Sequence, residues 1–250
     1  MSLIRLNSGK FLVIDTVPLD TDLKKEIDTL TNNGADIEAV IATHPFHTVY
    51  FPPFYEAYPN VPYYGTPSHL RNQKLIPWAG DIMDHLGMWC PEVQMRIPDG
   101  SVFVAPLPES SNRFSSVWVF GQQSRTIHVD DTIMYVGDDS PILFKLLGKR
   151  SGTMEFHPSM SRGGLQPTED SPVLFKAWVE GVIRDWDFDN ACCAHVAVRQ
   201  GGARELLQET LNKAQPLLDK IAKRNQGKTV DDDDVHDMSQ YNIKGTTECG

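Results

Sequence analysis

Three places in the chain gather side chains that can hold a metal ion or move a proton: His44 with His47, the run His128-Val129-Asp130-Asp131, and His195. Neutral imidazole and carboxylate suit Zn²⁺ or Fe, and two or three histidines with one aspartate make an open site of the catalytic kind. An open position admits a water that the metal makes nucleophilic, which points to hydrolysis. Each side chain also has an ordinary structural use. A histidine at a strand end can bond the backbone, and Asp131 can cap the following turn or pair with Arg125. His157, in Glu155-Phe-His-Pro158, reads as a loop residue, and His69, His85 and His236 have no partner that the sequence names.

The surrounding pattern predicts the elements that must position these groups. Apolar runs at 3–6 and 11–15 flank Asn7-Ser-Gly-Lys10 and read as a hairpin with Asp15 at a strand end. Asp20 or Thr21 caps a helix with Leu23, Ile27 and Leu30 on one face, and Asn33-Gly34 stops it. Residues 37–43 form a buried strand, so His44 and His47 lie where a strand gives way to a loop. Pro52-Pro53 opens a short helix, 61–64 is extended, and 66–91 is loop with one helical turn at 68–72. Five short runs, 93–97, 102–105, 116–120, 126–129 and 133–136, predict an antiparallel sheet. A short helix at 142–147 follows, then a longer one from Ser171-Pro172 to Arg184 and a buried strand at 191–195. The last helix starts after Gly201-Gly202 and must kink or restart at Pro216. Two packed sheets with outer helices are expected.

The composition narrows the partners. With 23 basic against 33 acidic side chains in 250 residues the formal charge is −10, which removes the electrostatic term that nucleic acids and anionic membranes supply. Cys90, Cys192, Cys193 and Cys249 match neither a disulfide framework nor a CxxC metal site, and Cys192 and Cys193 read as packed thiols on a buried strand. The start of the chain lacks the apolar stretch of a signal peptide, so a cytoplasmic protein is expected. Residues 1–227 read as one domain and 228–250, with the run Asp231 to Asp234, as an acidic flexible tail. Gly137-Asp-Asp139 reads as a turn.

At its polar clusters the sequence resembles the metallo-β-lactamase fold. Phe11-Leu-Val-Ile-Asp-Thr16 and Ala39-Val-Ile-Ala-Thr-His44 look like that superfamily's approach to its His-x-His-x-Asp-His motif. Ser116-Val-Trp-Val-Phe120 with Thr126-Ile-His-Val-Asp-Asp-Thr132 look like the strand pair leading to its bridging aspartate, and Ala191-Cys-Cys-Ala-His195 like the strand leading to its last histidine. A closer likeness is to an uncharacterised branch, through Phe46-His-Thr-Val-Tyr50, Ala57-Tyr-Pro59 and Arg184-Asp-Trp-Asp-Phe-Asp189. The departures are as specific: Phe46 stands at the motif's second histidine, Thr48 at its aspartate and Val49 at the next histidine, and Asn112 and Arg113 lie where a further histidine is expected.

The resemblance implies a four-layer αβ/βα sandwich of the α/β (α+β) class. It implies one metal centre, Zn or Fe, at His44, His47, Asp131 and His195, with Asp130 and His128 as supporting or proton-transfer candidates. The expected activity is hydrolysis of a small organic ester, thioester, lactone or phosphoester. Thr48 supplies no carboxylate to orient the attacking water, so another base is required. The competing expectation, from another class, is a relative that kept the sandwich, lost the metal and serves as a binding or scaffold protein. No oligomeric state is implied.

Overall fold

The computed structural model describes residues 1–104, 114–137, 150–194 and 197–228. β1 (Ser2–Arg5) and β2 (Phe11–Ile14) form the expected hairpin. β2 then runs parallel to β3 (Ile37–Ile41), β3 to β4 (Tyr63–Gly65) and β4 to β5 (Gly80–Asp81). Parallel neighbours need a crossover, and α1 (Thr21–Leu30), α2 (Phe51–Ala57) and α3 (Pro67–Asn72) lie in these connections. α1 starts where the Asp20 carboxylate accepts the Leu23 N–H at 2.8 Å and ends in a left-handed run at Asn32, Asn33 and Gly34.

The second sheet has β6 (Val93–Arg96), β7 (Trp118–Gly121) and β8 (Thr126–Asp130) as antiparallel neighbours. Beyond them, β9 (Ile133–Val136) and β10 (Thr153–Phe156) pair, among the described residues, only with each other. α4 (Ser171–Asp185) then carries the chain back so that β11 (Asn190–Cys193) lies parallel to β8, with β12 (Val198–Arg199) outside it. α5 (Ala203–Asn225) closes the described chain.

Strand alternation sorts the layers. On the first sheet Leu12, Ile14 and Ile41 face inward and meet Val93, Met95 and Val119 of the second, while Val13 and Val40 face outward under Ile27, Phe51 and Phe54. On the second sheet Trp118, Phe120 and Ile127 face outward under Phe175 and Val179 of α4 and Leu207 and Leu211 of α5. The result is helix, sheet, sheet, helix: the expected four-layer αβ/βα sandwich. Among the described residues no helix is long and apolar enough to cross a membrane.

Several sequence expectations need correction. Of the strand expected at 102–105, residues 102–104 add no strand to the sheet and 105 lies outside the described residues. Ser101 instead bridges Leu165, and Val102 N–H donates to the Gly164 carbonyl at 3.1 Å, so a loop takes up this backbone. The run at 133–136 leaves the antiparallel sheet because 153–156, not expected as a strand, pairs with it. Pro216 does not restart the last helix, which runs unbroken through it. Cys193 packs against the core as expected of a packed thiol, but both Cys192 and Cys193 are only half-buried and also reach a cavity wall. The expected helix at 142–147, Asn112, Arg113, Asp139, His236 and Cys249 lie outside the described residues, as does the acidic run at 231–234.

The turn into the 98–101 segment carries a steric requirement. Gly100 has φ +69, and a Cβ there would lie 2.3 Å from the Ser171 carbonyl oxygen at the start of α4. Gly100→Ala is expected to cost about 2 kcal/mol or more, read as a lower urea midpoint at unchanged slope. A midpoint equal to that of the parent would remove this constraint.

Candidate functional site

Four strand ends meet at one edge of the sandwich. β2 ends at Asp15, β3 runs into Thr43 and His44, β8 delivers His128 and Asp130, and β11 ends at Cys193; His195 lies outside the described residues. The two-residue period of β8 places His128 and Asp130 together, while Ile127 and Val129 join the core under α4 and α5. Asp15 and Asp130 have φ of 53° and 39°, left-handed values uncommon outside glycine, and each turns the chain sharply at the site.

Two triads result. In the first, His47 Nε2 lies 3.2 Å and His44 Nε2 4.0 Å from the same Asp131 oxygen, Oδ2. In the second, His128 Nε2 donates to Asp15 at 3.1 Å, and Asp15 also accepts the Thr43 N–H at 2.8 Å and the Thr43 hydroxyl. The triads are joined by His47 Nδ1, which donates to Asp130 Oδ2 at 2.9 Å. Thus the structure brings Asp131, His44 and His47 together, and Asp130 and His128 stand beside them. Arg125, the structural alternative for Asp131, pairs instead with Asp187 at 3.0 Å.

Charge follows from these contacts. Burial pulls His47 toward neutrality, but the hydrogen bonds to Asp130 and Asp131 and their negative charges push it up to about 11, so it is an imidazolium with both nitrogens donating. For Asp15, burial opposes ionisation, yet the His128 hydrogen bond and charge and the two Thr43 bonds hold it well below the usual carboxylate range. His44 is lowered by burial despite the nearby carboxylates. It accepts the Phe46 N–H on Nδ1 at 3.2 Å, which places the proton of the neutral ring on Nε2.

That Nε2 is buried and has no hydrogen-bond partner among the described residues. Leaving such a group unsatisfied costs about 1–3 kcal/mol. Two imidazoles and a carboxylate around an orphaned nitrogen fit a borderline cation such as Zn²⁺ or Fe. Binding there requires His44 to move its proton to Nδ1, giving up the Phe46 bond, and His47 to lose one proton.

Asp15, Thr43 and His69 belong to the site although the motifs do not mark them. His69 is fully buried, with Nε2–H donating to the His47 carbonyl at 3.3 Å and Nδ1 2.9 Å from Thr66 Oγ1, so it holds the loop that carries His47. Burial lowers its pKa to about 4, keeping it neutral. Only the strand-end position of Asp15 was a usable signal; nothing local marks His69. His157 caps a 3₁₀ turn by accepting Ser159 N–H, and His85 donates to the Asp81 carbonyl at 2.7 Å, both structural uses.

No family model and no curated protein matches the chain. Solved structures similar to it include the DIM-1 metallo-β-lactamase, at 13 % identity over 85 % of each chain with a TM-score of 0.49. A metallo-β-lactamase from Erythrobacter litoralis shows 15 % identity over 86 % of this chain and 79 % of that one, TM-score 0.48. The mono-zinc form of FIM-1 from Pseudomonas aeruginosa shows 11 % identity over 85 % and 89 %, TM-score 0.49. The likeness is one of fold, at low identity.

The His47 bridge sets a pH dependence. An unfolded histidine titrates near ~6.5, whereas the folded chain holds the His47 proton to about 11. Its contribution is therefore complete below about pH 6.5 and is lost as the pH rises through the folded value. Thermal melts of chelator-treated protein should show Tm falling across this alkaline range, and His47→Gln should flatten that slope. Equal slopes in both proteins would show that the bridge adds nothing to stability.

Proposed function

We propose that the chain is a hydrolase with a single metal centre, Zn or Fe, acting on a small organic ester, thioester, lactone or phosphoester. The observation that carries this is the orphaned Nε2 of His44, buried beside Asp131 and His47 so that the three together offer a cation two imidazoles and a carboxylate. His195 is proposed as a fourth ligand from its place after β11. When bound, the ion supplies Lewis acidity that polarises the scissile carbonyl or phosphoryl group. Asp130 and His128 line the adjoining cavity and provide the proton-transfer groups. Asp15 fixes the His128 ring from one side and Ser2 Oγ, 2.9 Å from Nδ1, from the other. Asp130 takes the place of the base that Thr48 cannot supply.

A second reading, a metal-free binding or scaffold protein, is favoured by one observation. Protonated His47 already bridges Asp130 and Asp131 and balances their charge without an ion. Elemental analysis of protein purified without chelator or metal-affinity tag separates the two. The hydrolase reading expects near-stoichiometric zinc or iron, lost in His44→Ala and in the His44→Ala, His195→Ala double variant. It also expects release of about one proton per ion on loading at neutral pH, from His47. Protein that takes up no ion even when it is supplied overturns the hydrolase and leaves the scaffold.

A further inference from the structure

Beside the proposed metal ligands, and including none of them, a second group of side chains has the order of a nucleophile, a base and an orienting carboxylate. β1 pairs Ser2 with Ile14, so Ser2 stands beside the end of β2, where Asp15 follows. Alternation puts Ser2 on the face of Ile4, which packs into the core between the sheets, and its side chain enters that gap where His128 arrives from β8. Ser2 Oγ lies 2.9 Å from His128 Nδ1, and His128 Nε2 lies 3.1 Å from Asp15 Oδ2. All three line one cavity of about 460 Å³, within the range of small-molecule pockets, about 300–1,000 Å³.

The hydrogen bonds fix the direction in which a proton moves. Asp15 is held well below the usual carboxylate range and accepts both the N–H and the hydroxyl of Thr43, so it has no proton to give and His128 Nε2 donates to it. In the neutral ring the lone pair is then on Nδ1, facing the Ser2 hydroxyl. His128 and Asp15 are 7 % and 5 % exposed whereas Ser2 is half-buried, so the base is shielded and the hydroxyl is open to a ligand. Both contacts are within the reach required of a nucleophile, its base and the group that orients the base. Relative to the general serine triad the two ring nitrogens exchange roles, which imidazole tautomerism permits, and such a triad is defined by geometry and roles. The α-amino group of Met1 acts on Cys192, to which Ser2 is hydrogen-bonded, so positive charge stands near the place where an oxyanion would form.

We propose that Ser2, His128 and Asp15 form a nucleophilic triad that hydrolyses carboxylic esters through an acyl-enzyme, a second route that does not pass through the metal centre. His128 Nδ1 takes the Ser2 proton as Oγ bonds to the ester carbonyl carbon. The bond from that carbon to the alkoxy oxygen breaks, and the alkoxide takes the proton from His128 and leaves as the alcohol. Water then attacks the acyl carbon and gives a proton to His128; the carbon–Oγ bond breaks, Ser2 regains its proton from His128, and the carboxylic acid departs. Val17, Pro18, Phe46 and Val198 give the cavity an apolar wall against which the acyl arm lies.

The test is covalent capture, which needs no turnover. The full chain, treated with chelator, is incubated with an alkyl fluorophosphonate and read by intact mass and peptide mapping. One adduct per chain is expected, on Ser2, and none in Ser2→Ala. His128→Gln should slow the labelling at least about 100-fold, the lower end of what a general base contributes. Since His128 is buried, Ser2→Cys supplies a variant that leaves the base in place: its new thiol, paired with the imidazole, should take up iodoacetamide faster than free cysteine at neutral pH. No adduct on Ser2 at saturating reagent, labelling of folded His128→Gln at the parental rate, or alkylation of Ser2→Cys no faster than free cysteine overturns the triad. An adduct on Ser2 in protein that takes up no ion keeps the triad and removes the metal hydrolase. Stoichiometric metal with no adduct does the reverse.

Discussion

Three aspartates lie within one buried cluster, and the edge of the sandwich is built around giving each of them a hydrogen-bonding partner. Asp15, Asp130 and Asp131 are each no more than 5 % exposed. Unpaired carboxylates at that depth would pick up protons or unfold the site. Each is answered by an imidazole: His128 for Asp15, His47 for both Asp130 and Asp131, with His44 close behind. Thr43 adds two hydrogen bonds to Asp15, and its hydroxyl lies 3.4 Å from Asp130. The cluster is therefore one electrostatic unit, in which removing any cation or donor leaves a charge stranded.

The fold makes that unit possible by bringing strand ends from two sheets to one edge. Alternation along β8 gives the apolar core Ile127 and Val129 and gives the site His128 and Asp130, so a single strand serves both. The left-handed backbone at Asp130 then turns Asp131 toward His47 instead of onward along the strand. The same backbone habit at Asp15 ends β2 where Thr43 can reach it. At these two positions local conformational cost is offset in part by hydrogen bonds that exist only when both sheets are docked, His47 to Asp130 and His128 to Asp15.

Much of this was legible in residue order. The hairpin before Asp15, the Asp20 cap of α1 and the Asn-Gly stop are local signals, and local signals survive tertiary packing. His44, His47, Asp131 and His195 were legible as metal-site candidates because strand ends in layered folds collect polar groups and because the motif resemblance ordered them; of these the described residues bring the first three together. Asp130 and His128 were legible as supporting candidates and Asp15 as a strand-end residue, but the pairing of His128 with Asp15 was not, since that contact is set by the docking of two sheets. The strand expected at 102–105 is absent over the described residues 102–104 because apolar alternation describes burial and not pairing, and here a loop supplies the hydrogen bond of Val102. That Cys192 and Cys193 also reach a cavity wall was not legible, because composition does not show where docked elements leave a cavity.

The hydrogen bond between His128 and Asp15 joins residues 113 positions apart, and that between His128 and Ser2 spans 126. Contacts of such separation carry a large loop-closure cost and form late relative to hairpins and helices. A nascent chain thus has folded elements long before it has a charge-balanced site, because β8 leaves synthesis well after β2 and β11 later still. Until then Asp15 and Asp130 stay hydrated, and the cluster's electrostatics act as a final fastening of one sheet to the other and not as a guide to either.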